Sequence, residues 1–169
     1  MATGAGDPGD RRGPPRRVQV HFDGACQPPR GGGVATYGFT VEGASLDHAE
    51  WGLAAPPGAP QATNNVAEYI AAIRALEWLQ GRGYREEVWV IGDSQLVLRQ
   101  MEGRYQIRAN HLKVLHERLS ELVRGFSRVE FVWVPRERNA HADELSKRAL
   151  TEHWRASHVR RSDRGTRRG

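Results

Sequence analysis

A chain of 169 residues, 38% hydrophobic and 27% charged, is long enough to bury one core without disulfide staples. Its single cysteine, Cys26, excludes an internal disulfide, and no apolar run reaches the length of a membrane span. The expected setting is the cytoplasm, with no signal peptide and no membrane partner. The net charge of +5 sits at the ends: residues 1–17 carry +2 and residues 155–169 carry +5, which leaves −2 on the body.

Residues 1–17, rich in Gly, Pro and Arg, lack the apolar side chains that offset ordering entropy and are expected to be disordered. Residues 18–23 alternate with period two and predict a first strand, which Asp23-Gly24 closes. The prolines and glycines of residues 27–33 make a turn. Residues 34–41 and 46–51 predict the second and third strands of an antiparallel meander, and residues 54–62 a Pro/Gly loop. A helix opens at Asn64 or Asn65, carries Tyr69, Ala72, Ile73, Leu76 and Leu79 at helical spacing, and ends at Gly81 and Gly83.

The run Val88-Trp89-Val90-Ile91 suits a strand covered on both faces, and it ends in Gly92-Asp93 just before a short helix over residues 94–102. Leu112, Leu115, Leu119 and Leu122 mark another amphipathic helix. Residues 129–134 form the last strand, stopped by Pro135, and residues 140–150 the last helix. This order predicts an α/β fold with a mixed five-stranded sheet, antiparallel meander first and parallel strands after, and helices on both faces. Residues 18–152 form the folded domain. Residues 153–169 are an Arg-rich tail that either follows a polyanion or merely aids solubility.

Four acids stand at element junctions: Asp23 and Asp93 where strands end, Glu68 and Asp143 where helices begin. Each has a structural explanation. Asn65 with Glu68 reads as a capping box, Asp93 as an N-cap, and Asp143 as a first-turn residue after an Asn139 cap. Their joint occurrence favours chemistry, because the carboxyl edge of an open sheet is where ligands bind. Clustered carboxylates raise one another's pKa unless a cation compensates, and Mg²⁺ prefers such oxygen ligands. A pair of such ions suits phosphodiester hydrolysis. Ser94 has no base at hand, Cys26 no His/Asn set, and Gly31-Gly32-Gly33 lacks the Lys and Ser/Thr of a P-loop.

Phe22-Asp23-Gly24-Ala25-Cys26, Thr63-Asn64-Asn65-Val66-Ala67-Glu68-Tyr69, Gly92-Asp93-Ser94-Gln95-Leu96-Val97 and Asn139-Ala140-His141-Ala142-Asp143-Glu144-Leu145 resemble the four signature blocks of type 1 ribonuclease H. They occur in the family's order, the successive acids set at intervals of 45, 25 and 50 positions. The resemblance implies an endonuclease that cuts the RNA strand of an RNA/DNA hybrid with two Mg²⁺ or Mn²⁺ ions, leaving 5′-phosphate and 3′-hydroxyl ends. Asp23, Glu68, Asp93 and Asp143 would ligate the metal. Gly24, Cys26, Thr63, Asn64, Asn65 and Gln95 would contact the RNA strand, whose 2′-hydroxyls both donate and accept, as side-chain amides do. A monomer is expected.

The chain departs from the family pattern in three places. Residues 103–110 are too short for the inserted basic handle of many relatives, so affinity for the DNA strand falls to the tail arginines. The loop before Asp143 has no His, and Arg136 there would act by charge, while His141 lies on a different helix face from Asp143 and is read as non-catalytic. Residues 27–31 replace the commoner Asn-Pro-Gly turn. Double-stranded RNA is an alternative substrate, and a non-catalytic hybrid-binding module the alternative class.

Overall fold

The structure, a computed structural model, describes residues 17–165, with side chains as far as Arg161. The disorder expected at the N-terminus falls outside the described residues, apart from Arg17, whose guanidinium lies 3.8 Å over the Trp89 ring. Three strands, β1 (Val18–Gln27), β2 (Val34–Gly43) and β3 (Leu46–Leu53), form the antiparallel meander. Two more, β4 (Glu87–Gly92) and β5 (Arg128–Trp133), add in parallel to β1 and to each other, giving the order β3-β2-β1-β4-β5. The helices are α1 (Asn64–Gly81), α2 (Gln95–Met101), α3 (Asn110–Val123) and α4 (Ala140–Gly165). Among the described residues, no helix is long and apolar enough to cross a membrane.

The period-two pattern of β1 divides the molecule into two layers. Val18, Val20 and Phe22 are fully buried in one core with Tyr69, Leu76 and Leu79 of α1, against which α3 also packs. The alternate residue Asp23 faces the other way, toward α4, which crosses β1, β2 and β3. Two glycines set how closely these helices approach. A Cβ on Gly24 would stand 2.2 Å from the Glu68 amide nitrogen, and one on Gly38 would stand 2.6 Å from both Leu145 Cβ and the Ser146 nitrogen. Only residues without a side chain let α1 and α4 sit there. Because Asp23 pairs with Gly38 across the ladder, the second of these contacts lies directly beside the acid.

The structure differs from the sequence reading at two boundaries. Strand β1 does not close at Asp23-Gly24 but runs to Gln27, since β2 pairs with it up to the Gln27–Val34 partnership. Asp23 therefore lies inside a strand. Helix α4 does not end at Leu150 but continues to Gly165. No Gly or Pro interrupts residues 151–164. An i,i+4 ion pair from Arg148 to Glu152 (3.0 Å) supports the helix, and the Trp51 indole also donates to Glu152 at 2.9 Å.

Candidate active site

Asp23 from β1, Glu68 from the second turn of α1 and Asp93, the residue after β4, present carboxylate oxygens that all lie within 4.8 Å of one another. Asp23 and Glu68 are 5% and 6% exposed. Asp143, in the first turn of α4, lines the same cleft of about 280 Å³ but stands outside that triple. Its carboxylate accepts from Arg136 at 3.1 Å and from Lys147 at 2.7 Å.

Asp143 is a first-turn acid of α4 as the sequence implied, but the structural explanations for Glu68 and Asp93 are not the ones the molecule uses. Helix α1 is capped by Thr63, whose Oγ1 accepts from the Val66 amide at 3.2 Å, so the Asn65–Glu68 capping box does not form. Helix α2 is capped by the Ser94 hydroxyl, which accepts from the Val97 amide at 3.4 Å, and this leaves the Asp93 carboxylate free of capping. Nor is the Asn139 side chain turned to the helix. It is 1% exposed, and its amide nitrogen donates to the Phe22 carbonyl at 2.9 Å and to Asp93 Oδ1 at 3.1 Å. It thus ties the β4 acid to the backbone of β1.

Burial first, then the charges of Asp93 and Asp143, lift the Asp23 carboxyl from 3.8 to about 7, against the opposing Ser146 hydrogen bond and the Arg136 charge. Burial likewise holds Glu68 well above the ordinary carboxylate range, helped by Asp23 and Asp93 and opposed by the Gly24 backbone amide. Among the described residues, Glu68 Oε2 and Asn139 Oδ1 are buried oxygens without a hydrogen-bond donor. A set of oxygen-only ligands that burial and mutual repulsion make costly to ionise, with a buried carboxylate oxygen lacking a donor, fits a hard divalent cation.

Of the other residues singled out in the sequence, Gly24, Cys26, Asn64 and Arg136 line the acid cleft. The Cys26 thiol is 3% exposed and donates to the Pro28 and Ala62 carbonyls, tying β1 to the loop before α1. Thr63 is engaged as the cap, and Asn65 and Gln95 are exposed in the first turns of α1 and α2, outside the residues that line the cleft. Arg136 belongs to a 3₁₀ turn (Arg136–Arg138) and its side chain is 63% exposed. His141 lines a separate cavity of about 110 Å³ with His21 and Glu42. Sequence reasoning missed Ser146, whose hydroxyl, fully buried, bonds Asp23 Oδ2 and also lies 2.9 Å from the Asp143 carbonyl. It missed Lys147 as well. Both follow Asp143 at helical spacing, and that spacing was the available signal.

A family described as reverse transcriptase-like matches residues 22–149. Ribonuclease HI of Halobacterium salinarum is 37% identical over 139 residues, which is 80% of this chain and 65% of that protein. The crystal structure of RNase H1 from that halophilic archaeon superposes with a TM-score of 0.70 at 34% identity, covering 80% of this chain and 98% of the other. The chain belongs to the type 1 ribonuclease H family. LC11-RNase H1, in a crystal structure with an RNA/DNA hybrid, gives the same TM-score of 0.70 at 33% identity, over 81% of this chain and 99% of that one. The bifunctional protein Rv2228c of Mycobacterium tuberculosis is 36% identical over 135 residues, and the chain spans only 35% of its length. As the short connection in the sequence implied, residues 102–109 join α2 to α3 without an intervening helix.

Proposed function

We propose that the chain is a metal-dependent endoribonuclease that hydrolyses the RNA strand of RNA/DNA hybrids, leaving 5′-phosphate and 3′-hydroxyl ends, with residues 18–152 as its catalytic domain. The observation that carries this reading is the meeting of Asp23, Glu68 and Asp93 within 4.8 Å, in a cleft that Asp143 shares. These four acids would hold two Mg²⁺ or Mn²⁺ ions. When bound, such ions supply an activated water and neutralise charge that develops at the scissile phosphate.

The chain's own residues then hold and orient the substrate. Asn64, Asn65 and Gln95 carry amides suited to the 2′-hydroxyls that distinguish RNA from DNA, with the Gly24 and Cys26 backbone and Thr63 beside them. Arg136 holds Asp143 and draws the phosphate by charge, since a guanidinium does not release protons. A relative of the same fold with a hybrid bound supports this substrate class. The reading includes a cytoplasmic monomer, in keeping with one buried cysteine.

The test is cleavage of matched RNA/DNA, RNA/RNA and DNA/DNA duplexes with Mg²⁺, with Mn²⁺ and with chelator, beside Asp93→Asn. The expected result is metal-dependent cutting of the RNA strand of the hybrid, lost in the variant while hybrid binding persists. Cutting of RNA/RNA as well would widen the substrate range. Binding without cutting under either metal would replace the nuclease with a hybrid-binding module.

A further inference from the structure

Helix α4 begins at the acid cleft and leaves the sheet behind. Asp143, Lys147 and Leu150 all line the cleft, so this edge of the helix faces the substrate position. The helix does not stop there, because it continues to Gly165. At 3.6 residues per turn, Trp154 falls within about 20° of Asp143, and Arg161, eighteen residues on, returns to its direction after five full turns. The separation along the axis is about 27 Å. Trp154 is 44% exposed and Arg161 is exposed.

Cations lie all round this helix, Arg148, Arg155 and Arg160 among them, but beyond Asp143 its acids are kept off one edge. The cleft-side edge beyond Asp143 carries Lys147, Trp154, His158 and Arg161, whereas Glu144 and Glu152 lie a quarter turn or more away. Glu152 faces Trp51 of β3. An edge that starts in the acid cleft, carries cations and a flat aromatic, and keeps its acids on the other side matches a phosphate backbone. At no more than about 3.4 Å per base step, 27 Å spans at least roughly eight base pairs.

We infer that the cleft-side edge of α4 is a track for the nucleic acid, on which Lys147, Trp154 and Arg161 hold the duplex arm leaving the cut site. This rests on the reading of the cleft as a hybrid-cleaving site and assigns the basic tail a defined direction in place of a diffuse charge. Reach is its signature. A duplex of eight base pairs centred on the cleft extends only about four to each side and does not arrive at Arg161.

The test is anisotropy of fluorescein-labelled hybrids of eight and twenty-four base pairs, in chelator, over a salt series. The chains compared are wild type, Trp154→Ala, Arg161→Ala and Arg155→Ala. Alanine preserves the helix, and Arg155, a third of a turn round from Arg161's direction, removes the same charge from another face. Arg161→Ala is expected to weaken binding of the long hybrid about three- to tenfold and to reduce the slope of log affinity against log salt by about one, with the short hybrid unaffected. Trp154→Ala is expected to weaken the long hybrid without changing the slope, and Arg155→Ala to keep the parental slope. Equal loss of slope in both arginine variants, no loss in either, or no binding of hybrid by the wild type would overturn the track. Hydrolysis by the wild type with metal is measured in parallel. Its absence, with the difference between the arginine variants retained, would overturn the nuclease and leave the track standing.

Discussion

Replacing Asp23 with Asn measures what it costs to ionise a buried carboxyl beside the other acids. In the metal-free protein the Asp23 carboxyl is lifted from 3.8 to about 7, chiefly by burial. A carboxyl raised in the folded state contributes stability that is fully present below its unfolded value, and that stability is lost as pH rises through the folded value. At about 1.4 kcal/mol per tenfold change in proton affinity, the loss between pH 4 and pH 8 is about 4 kcal/mol. Asn has nearly the same shape, can still meet the Ser146 hydroxyl, and carries no charge. In chelator, Asp23→Asn should match the wild type at pH 4 and exceed it by up to about 4 kcal/mol at pH 8, a rise in Tm on the order of 10 °C for a chain of this length. Urea unfolding at half-unit steps of pH would measure it. Parallel wild-type and variant curves from pH 4 to pH 8 would refute the assignment of Asp23 as the strained acid.

Asn139→Ala strips the donor from both the Phe22 carbonyl and Asp93, and should cost about 1–3 kcal/mol in urea melts and at least tenfold in cleavage rate. Asn139→Asp, which keeps the shape and adds a fifth carboxylate, should not rescue it. Gly38→Ala drives a methyl into Leu145 and Ser146, so it should lower stability by roughly 1–3 kcal/mol and shift α4 off Asp23, seen as reduced divalent-ion affinity by calorimetry. Thr63→Ala should cost about 1 kcal/mol as a lost cap, whereas Asn65→Ala should leave stability unchanged and raise KM for the hybrid.

The layers of this fold are legible because the residues that build them alternate cleanly. Val18, Val20 and Phe22 read as a strand face, and Tyr69, Leu76 and Leu79 as a helix stripe, and the structure joins those two sets in one core. The reach of β1 to Gln27 was not legible, since Gly24 and the prolines after Gln27 read as breakers and the pairing with β2 that overrides them is not local. The length of α4 was hidden for another reason. Past Leu150 there is no apolar stripe, and a solvated helix held by Arg148, Glu152 and Trp51 has the same composition as an unstructured arm. The acids were legible through their blocks, but Ser146 and Asn139 act on partners more than forty residues away, so their roles depend on where α4 crosses the sheet.

The choice between Thr63 and Asn65 as the cap bears on why the acids are there at all. Had Asn65 and Glu68 formed a box, and Asp93 a cap, two of the four carboxylates would have had structural employment. Hydroxyls from Thr63 and Ser94 do that work instead, and Asn139 serves Asp93 instead of the helix. Among the described residues, Asp143 alone of the four is ion-paired by cations of the chain. Asp23, Glu68 and Asp93 are left facing one another, and burial makes the first two costly to ionise. A ligand that binds only the folded state at a hundredfold excess over its Kd adds about 2.7 kcal/mol, and at a thousandfold about 4.1. That range matches the opposition expected at Asp23 alone, so a divalent ion at ordinary affinity is sufficient to offset it. Divalent ion should therefore raise the Tm of the wild type far more at pH 8 than at pH 5, and the same ion should do little for Asp23→Asn. An equal gain at both pH values would mean that the ion binds elsewhere.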